Sequence, residues 1–357
     1  MKILKTLSLA LLATMLWTAC GDDEHTTFIP APGTGTTGAF ILNQGNSYSA
    51  IGSTYDYLDL KTNKLSSNIF ATTNGQGLGG AVQDGIIYGS RLYLAMYESN
   101  LVWVINPKTN KIVKSIITSS PEGITAAGGA VYVTNNDGFV SKIDTTKLEV
   151  VSKIEVGPNP VDMEVRDGQL YVAISDGYNS ANGYANGKKV AKINLTDFTK
   201  SLELPVGLNP TQMTQDGNGN IFVVCMGNYS TIPAKVYKIG KDDRAKEFAT
   251  ATIAEATSDR IYLINAPYGQ SATYSVVNTE SGKAIASKFG TDKDNLPISP
   301  IAISIRKTTG EVFVTSSGTL DAMTQYTAPG YVYRYDADGT FAMRYQAGVH
   351  PCRVVFN

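Results

Sequence analysis

Gly348-Val349-His350-Pro351-Cys352-Arg353-Val354-Val355-Phe356-Asn357 is the stretch on which the fold turns. It has the form of a repeat that begins and stops: a Gly, a Pro three residues later, then an apolar run. Upstream, Gly157-Pro158-Asn159-Pro160 and Gly207-Leu208-Asn209-Pro210 open in the same way, and each is followed by a turn and a second apolar strand. A half-repeat needs a partner, and the orphaned strand Ala39-Phe40-Ile41-Leu42-Asn43 near the other end supplies one. Pairing the two closes a ring of sheets and leaves no strand edge open to aggregation.

Working outward, the recurring unit is an apolar strand with an aromatic near its start. The aromatics are Phe40, Tyr93, Tyr132, Tyr171, Phe222, Tyr262 and Phe313, spaced by 53, 39, 39, 51, 40 and 51 residues. A period near forty with insertions of about ten residues is that of a four-stranded propeller blade. Each aromatic strand follows a shorter apolar strand and a Gly or Asp turn, as in Val161 to Val165 before Arg166-Asp167-Gly168. Third strands such as Val140 to Asp144, Val190 to Asn194, Lys235 to Ile239 and Tyr331 to Asp336 alternate apolar and polar residues. The expected fold is all-β: a seven-bladed β-propeller over residues 39–357, with the C-terminal strand completing the N-terminal blade. Two β-sandwiches would explain short strands but not seven units of one design.

The N-terminus reads as a targeting segment, residues 1–19. Lys2 and Lys5 precede an apolar core from Leu7 to Leu16, too short for a membrane span, which ends in Trp17-Thr18-Ala19-Cys20. A small residue before Cys at that place resembles the bacterial lipobox and implies lipidation at Cys20; the alternative is an ordinary secretory signal cut near Ala19. Residues 20–38, rich in Thr, Pro and Gly, read as a flexible tether. The acidic run Gly21-Asp22-Asp23-Glu24 resembles the export signal of Bacteroidetes lipoproteins displayed on the outer membrane. A net charge of −1 gives no electrostatic reason to expect a nucleic-acid partner. Cys225 and Cys352 fall on non-adjacent blades and are expected to be free thiols.

The Gly-x-x-Pro openings and Tyr132-Val133-Thr134-Asn135 resemble the repeats of the YVTN, or YncE-like, propeller family over nearly the whole of residues 39–357. Together with the anchor, the architecture is similar to Bacteroidetes surface lipoproteins that capture vitamin B12. That resemblance implies a cobalamin or other corrinoid ligand, bound but not used as a cofactor, and a TonB-dependent outer-membrane transporter as partner. Blade 6 departs from the pattern, opening with Thr250-Ala251-Thr252-Ile253 in place of Gly-x-x-Pro.

In a propeller, the loops joining second to third strands and those leading into each innermost strand share one face. Six of the seven second-to-third loops carry a Tyr, which is not a turn residue. The expected ligand-binding set is Asn46, Tyr48, Tyr97, Glu98, Asn136, Asp176, Tyr178, Tyr229, Tyr268, Tyr326, His350 and Arg353. Tyr and Asn together suit a large, mostly neutral ligand edged with amides or hydroxyls. A glycan- or protein-binding module of another uptake system would use the same face. With only two His, one of them in the tether, neither a Ser-His-Asp arrangement nor a poly-His metal site is supported. Glu98, Asp137 and Asp176 are the candidates for a metal-dependent enzyme, and the reading favours a protein that is not one. Asp216-Gly217-Asn218-Gly219-Asn220 matches half a calcium loop but stands where other blades have a hairpin turn.

Overall fold

The computed structural model describes residues 38–321 and 323–357; the expected signal segment, Cys20 and nearly all of the tether lie outside them. Seven antiparallel sheets form a ring, a β-propeller as expected. The innermost strands are Pro351–Phe356, Val82–Tyr88, Pro121–Ala127, Pro160–Arg166, Pro210–Gln215, Ile253–Thr257 and Ser299–Arg306, numbered here as blades 1 to 7. They pack against one another in that order and back to the first. The clasp pairs Pro351–Phe356 with Gly38–Asn43, Phe40 opposite Val355 and Ile41 opposite Val354, and the register slips at Leu42/Asn43, leaving Cys352 without a partner.

The recurring aromatics explain why the blades stack. All seven are essentially inaccessible to solvent. Tyr93 packs on Ile124 and Val133 of blade 3, Tyr132 on Met163 and Val172 of blade 4, and Tyr171 on Met213 and Val223 of blade 5. Phe222, Tyr262 and Phe313 repeat the contact on blades 6, 7 and 1. Truncating a buried aromatic of this kind to Ala costs about 3–5 kcal/mol.

Neighbouring innermost strands share no backbone ladder, and polar side chains bridge them instead. Asp84 accepts from the Ile124 amide at 3.1 Å, Asp162 from Met213 at 2.7 Å, Thr214 from Ala256 at 3.0 Å and Ser304 from Val354 at 3.3 Å. Two features depart from the sequence reading. Blade 6 has three strands, its fourth place taken by a single bridge from Val277 to Ala284. The outer strand of blade 1 is only Lys64–Ser66, followed by a helix at Ile69–Asn74 whose Phe70 ring lies 5.7 Å from Trp103. The Asp216 string is a plain turn: its carboxylate accepts from the Asn218 and Asn220 amides and from the Asn220 side chain.

Candidate functional site

The two classes of loop are knitted together on one face by backbone hydrogen bonds. The amides of Tyr97, Asn136 and Met226, in second-to-third loops, donate to Ala81, Ser120 and Asn209, each the residue just before an innermost strand. Ala81, Ser120, Asn159, Asn209 and His350 hold that position with φ between 37° and 58°. Asn tolerates this left-handed conformation best among residues other than Gly, and His is among the enriched types. His350 is therefore placed by its backbone, and its carbonyl accepts from Gln44 N at 2.9 Å. Its ring is stacked obliquely 5.8 Å from Tyr326, and Nδ1 is buried with no hydrogen-bond partner. Burial lowers its pKa and keeps the imidazole neutral at pH 7.

Six of the expected residues, Asn46, Tyr48, Tyr97, Glu98, Tyr326 and His350, line one cavity of about 410 Å³. Asn46 Nδ2 donates to the Tyr326 carbonyl at 3.1 Å, joining the loops of blades 1 and 7, and Ser47 Oγ donates to Glu98 at 2.5 Å. Tyr48 is wholly exposed at the rim. Beside this cavity, Asn136 Nδ2 donates to the Tyr97 hydroxyl at 2.8 Å, which lies 2.7 Å from that of Tyr178. Tyr229 and Tyr268 sit on a separate cavity of about 390 Å³ with Met226, Ile232 and Pro267. It opens where blade 6 lacks the Pro opening and the Thr252 hydroxyl receives the Ala266 amide instead.

Two expected residues lie elsewhere. Asp176 is buried and organises its own insertion, accepting from Asn179 Nδ2 and from the backbone and side chain of Asn186, so its carboxylate is not presented to the face. Arg353 is not at the rim: it lies in the central channel, Nε 3.2 Å from Asp84 Oδ1.

The acidic lining of that channel was missed from the sequence, although the alternation of Val161-Asp162-Met163-Glu164-Val165 carried the signal, because alternate polar residues on an innermost strand face the channel or bridge to the next innermost strand. Above Arg353 lies a cavity of about 260 Å³ with Asp84, Glu122 and Asp162; below it is one of about 580 Å³ with Asp162, Glu164, Glu255 and Lys307. Burial pushes Glu122 up to about 7. Burial and then neighbouring carboxylates push Asp162 to about 6 and Glu164 to about 8. Burial also lifts Glu255 to about 7, against the opposing charges of Arg353 and Lys307. Among the described residues, no three His, Cys, Asp or Glu converge to hold a metal ion.

The architecture and face define a β-propeller with a concave, aromatic loop surface. Among solved structures the chain is similar to the Kuenenia stuttgartiensis hydrazine synthase, at 16% identity and a TM-score of 0.58 over 74% of this chain and 85% of that one. It is also similar to the computationally designed Ika8 protein, at 11% identity and a TM-score of 0.56 over 90% and 91%. At these identities the likeness establishes the fold alone, and the activity named for the synthase is not transferred. No family model and no curated protein matches the sequence.

Proposed function

We propose that the protein is a surface-anchored, YncE-like propeller that captures cobalamin or a related corrinoid on its tyrosine face and hands it to a TonB-dependent outer-membrane transporter. The observation that carries this reading is the convergence of six expected residues, from the loops of blades 1, 2 and 7, on one cavity. Tyr48, Tyr97 and Tyr326 offer flat apolar area with polar tips, suited to a planar macrocycle rimmed with amides. His350 lines the same cavity with a neutral imidazole, a group able to meet a ligand amide or the corrinoid cobalt. The lipobox-like Cys20 and the acidic run after it support anchoring at the cell surface. Capture and release need no bond chemistry, and tethering raises the effective ligand concentration at a transporter mouth.

A protein-binding role for the same face draws support from Leu320 and Met323, exposed on the loop that carries Tyr326. Calorimetric titration with cyanocobalamin separates the two. Saturable one-to-one binding supports capture, and no heat at tens of micromolar ligand leaves the protein-binding reading.

A further inference from the structure

Blade 6 enters the ring differently from the other six. In those six, the pairing of first and second strands slips register at the loop-face end, as between Pro160 and Met163 or between Pro210 and Gln212. In blade 6, Ile253–Thr257 pairs with its neighbour without a slip. The ring accommodates the slip six times over, so packing alone does not call for the exception. Beside it lies the cavity of about 390 Å³, which holds three exposed large hydrophobic side chains, Tyr229, Ile232 and Tyr268. Tyr229 keeps a left-handed backbone at φ 56°, a conformation that Gly or Asn takes freely and a bulky aromatic takes only at a cost. Strain of this kind persists where a site uses it. The Tyr229 hydroxyl is turned toward the Asn209 side chain, yet 63% of the residue stays open to solvent. Tyr268, from the blade 6 loop, is 92% exposed on the same cavity.

We propose that this cavity is a second ligand subsite of the loop face, and that it takes a neutral heteroaromatic ring stacked against Tyr229 and Tyr268. The lining selects the class. Met226, Ile232 and Pro267 give it apolar walls, and Asn265 and Gln270 each bring a group that both donates and accepts, matched to ring nitrogens. Among the described residues none that lines it is charged, which favours an uncharged ring over a carboxylate, a phosphate or an ammonium. A pyranose, edged with hydroxyls all round, would set several of them against the apolar walls without a partner. Flat rings gain from offset or edge-to-face contact with Tyr beyond the area they bury. Thr252 lines both this cavity and the one at the channel mouth, and Gln83 joins that mouth to the cavity at His350. A ring carried on a larger body can therefore use both face cavities, while the subsite stands whatever the cavity at His350 binds.

Ligand-observed NMR titration of the purified protein with benzimidazole at pH 8, where the ring is uncharged, tests this, with cyclohexanol and methyl β-glucoside as controls. Benzimidazole should saturate one site with a Kd of about 1 mM, the range open to a fragment of its size, and should bind about fivefold more tightly than either control. Tyr268→Ala should weaken it about fivefold, and so should Tyr229→Asn, which the left-handed backbone accepts; both variants should melt within a few degrees of the native protein. Tyr268→Phe should bind as the native protein does, because stacking needs the ring and not the hydroxyl. Absence of saturable binding below about 10 mM, equal affinity for either control, undiminished affinity in Tyr268→Ala or Tyr229→Asn, or loss of binding in Tyr268→Phe overturns the proposal.

Discussion

Replacing Arg353 by Met probes the electrostatics of the clasp and the channel at once. Its guanidinium lies 3.2 Å from Asp84, and Glu255, Asp162 and Glu164 also pull on it, which holds its pKa above the ordinary value. At an effective dielectric constant of about 20, one pair at 3.2 Å is worth about 5 kcal/mol. A third of the side chain reaches channel water, so a sizeable but smaller part of that figure is screened. The expected loss at pH 8 is about 3 kcal/mol, at the lower end for a pair broken by removing one partner. The sign with pH follows from the carboxylates. Groups whose folded pKa is raised, to about 6 for Asp162, 7 for Glu122 and Glu255 and 8 for Glu164, stabilise fully at low pH and lose that contribution as pH rises through those values. Arg353 opposes the decline, so removing it should steepen the fall between pH 5 and 8, and the loss at pH 5 should be smaller than at pH 8 by the part owed to Glu255, Asp162 and Glu164. Urea denaturation of both proteins at pH 5, 6.5 and 8 reads this. A loss of the same size at every pH, or none, would refute the argument.

The remaining predictions use other parts of the molecule. Glu164→Gln should raise stability at pH 8 by about 1–2 kcal/mol, well below the full value of the shift because channel water reaches the group, and should change nothing at pH 4; thermal melts at the two pH values decide. Burial pushes both Cys225 and Cys352 up to about 12, so a disulfide exchange reagent at pH 8 should modify neither in the folded protein and both after unfolding, as mapped by mass spectrometry. Deleting residues 351–357 removes the strand that pairs with Gly38–Asn43, and the near-ultraviolet dichroism of packed aromatics should collapse; retention of a native spectrum would show that the ring closes without its clasp.

The fold was legible because its determinants are local and repeated. Seven buried aromatics at a near-constant period mark the second strands, and the half-repeat at Gly348 marks the closure. The helix at Ile69–Asn74 was not legible: Ile69-Phe70-Ala71-Thr72-Thr73-Asn74 has no capping side chain and is held by tertiary contacts, Phe70 on Trp103 and Asn74 on the Asn110 carbonyl. The face was read in part. Tyr in turns revealed Tyr48, Tyr97 and Tyr326, because turn chemistry does not call for Tyr. Asp176 misled because a loop carboxylate that holds its own loop together has the same sequence appearance as one offered to a ligand. Arg353 was misplaced and the channel acids went unread because their meaning depends on the curvature that brings seven strands around one axis, which no single strand records.

The most direct test of the central claim is titration of cyanocobalamin into the native protein and into a Tyr97→Ala/Tyr326→Ala variant, whose altered rings both line the cavity at His350. The account predicts one saturable site in the native protein, weakened by at least tenfold in the variant while the melting temperature stays within a few degrees. Absence of binding in the native protein, or equal affinity in the two, would contradict it.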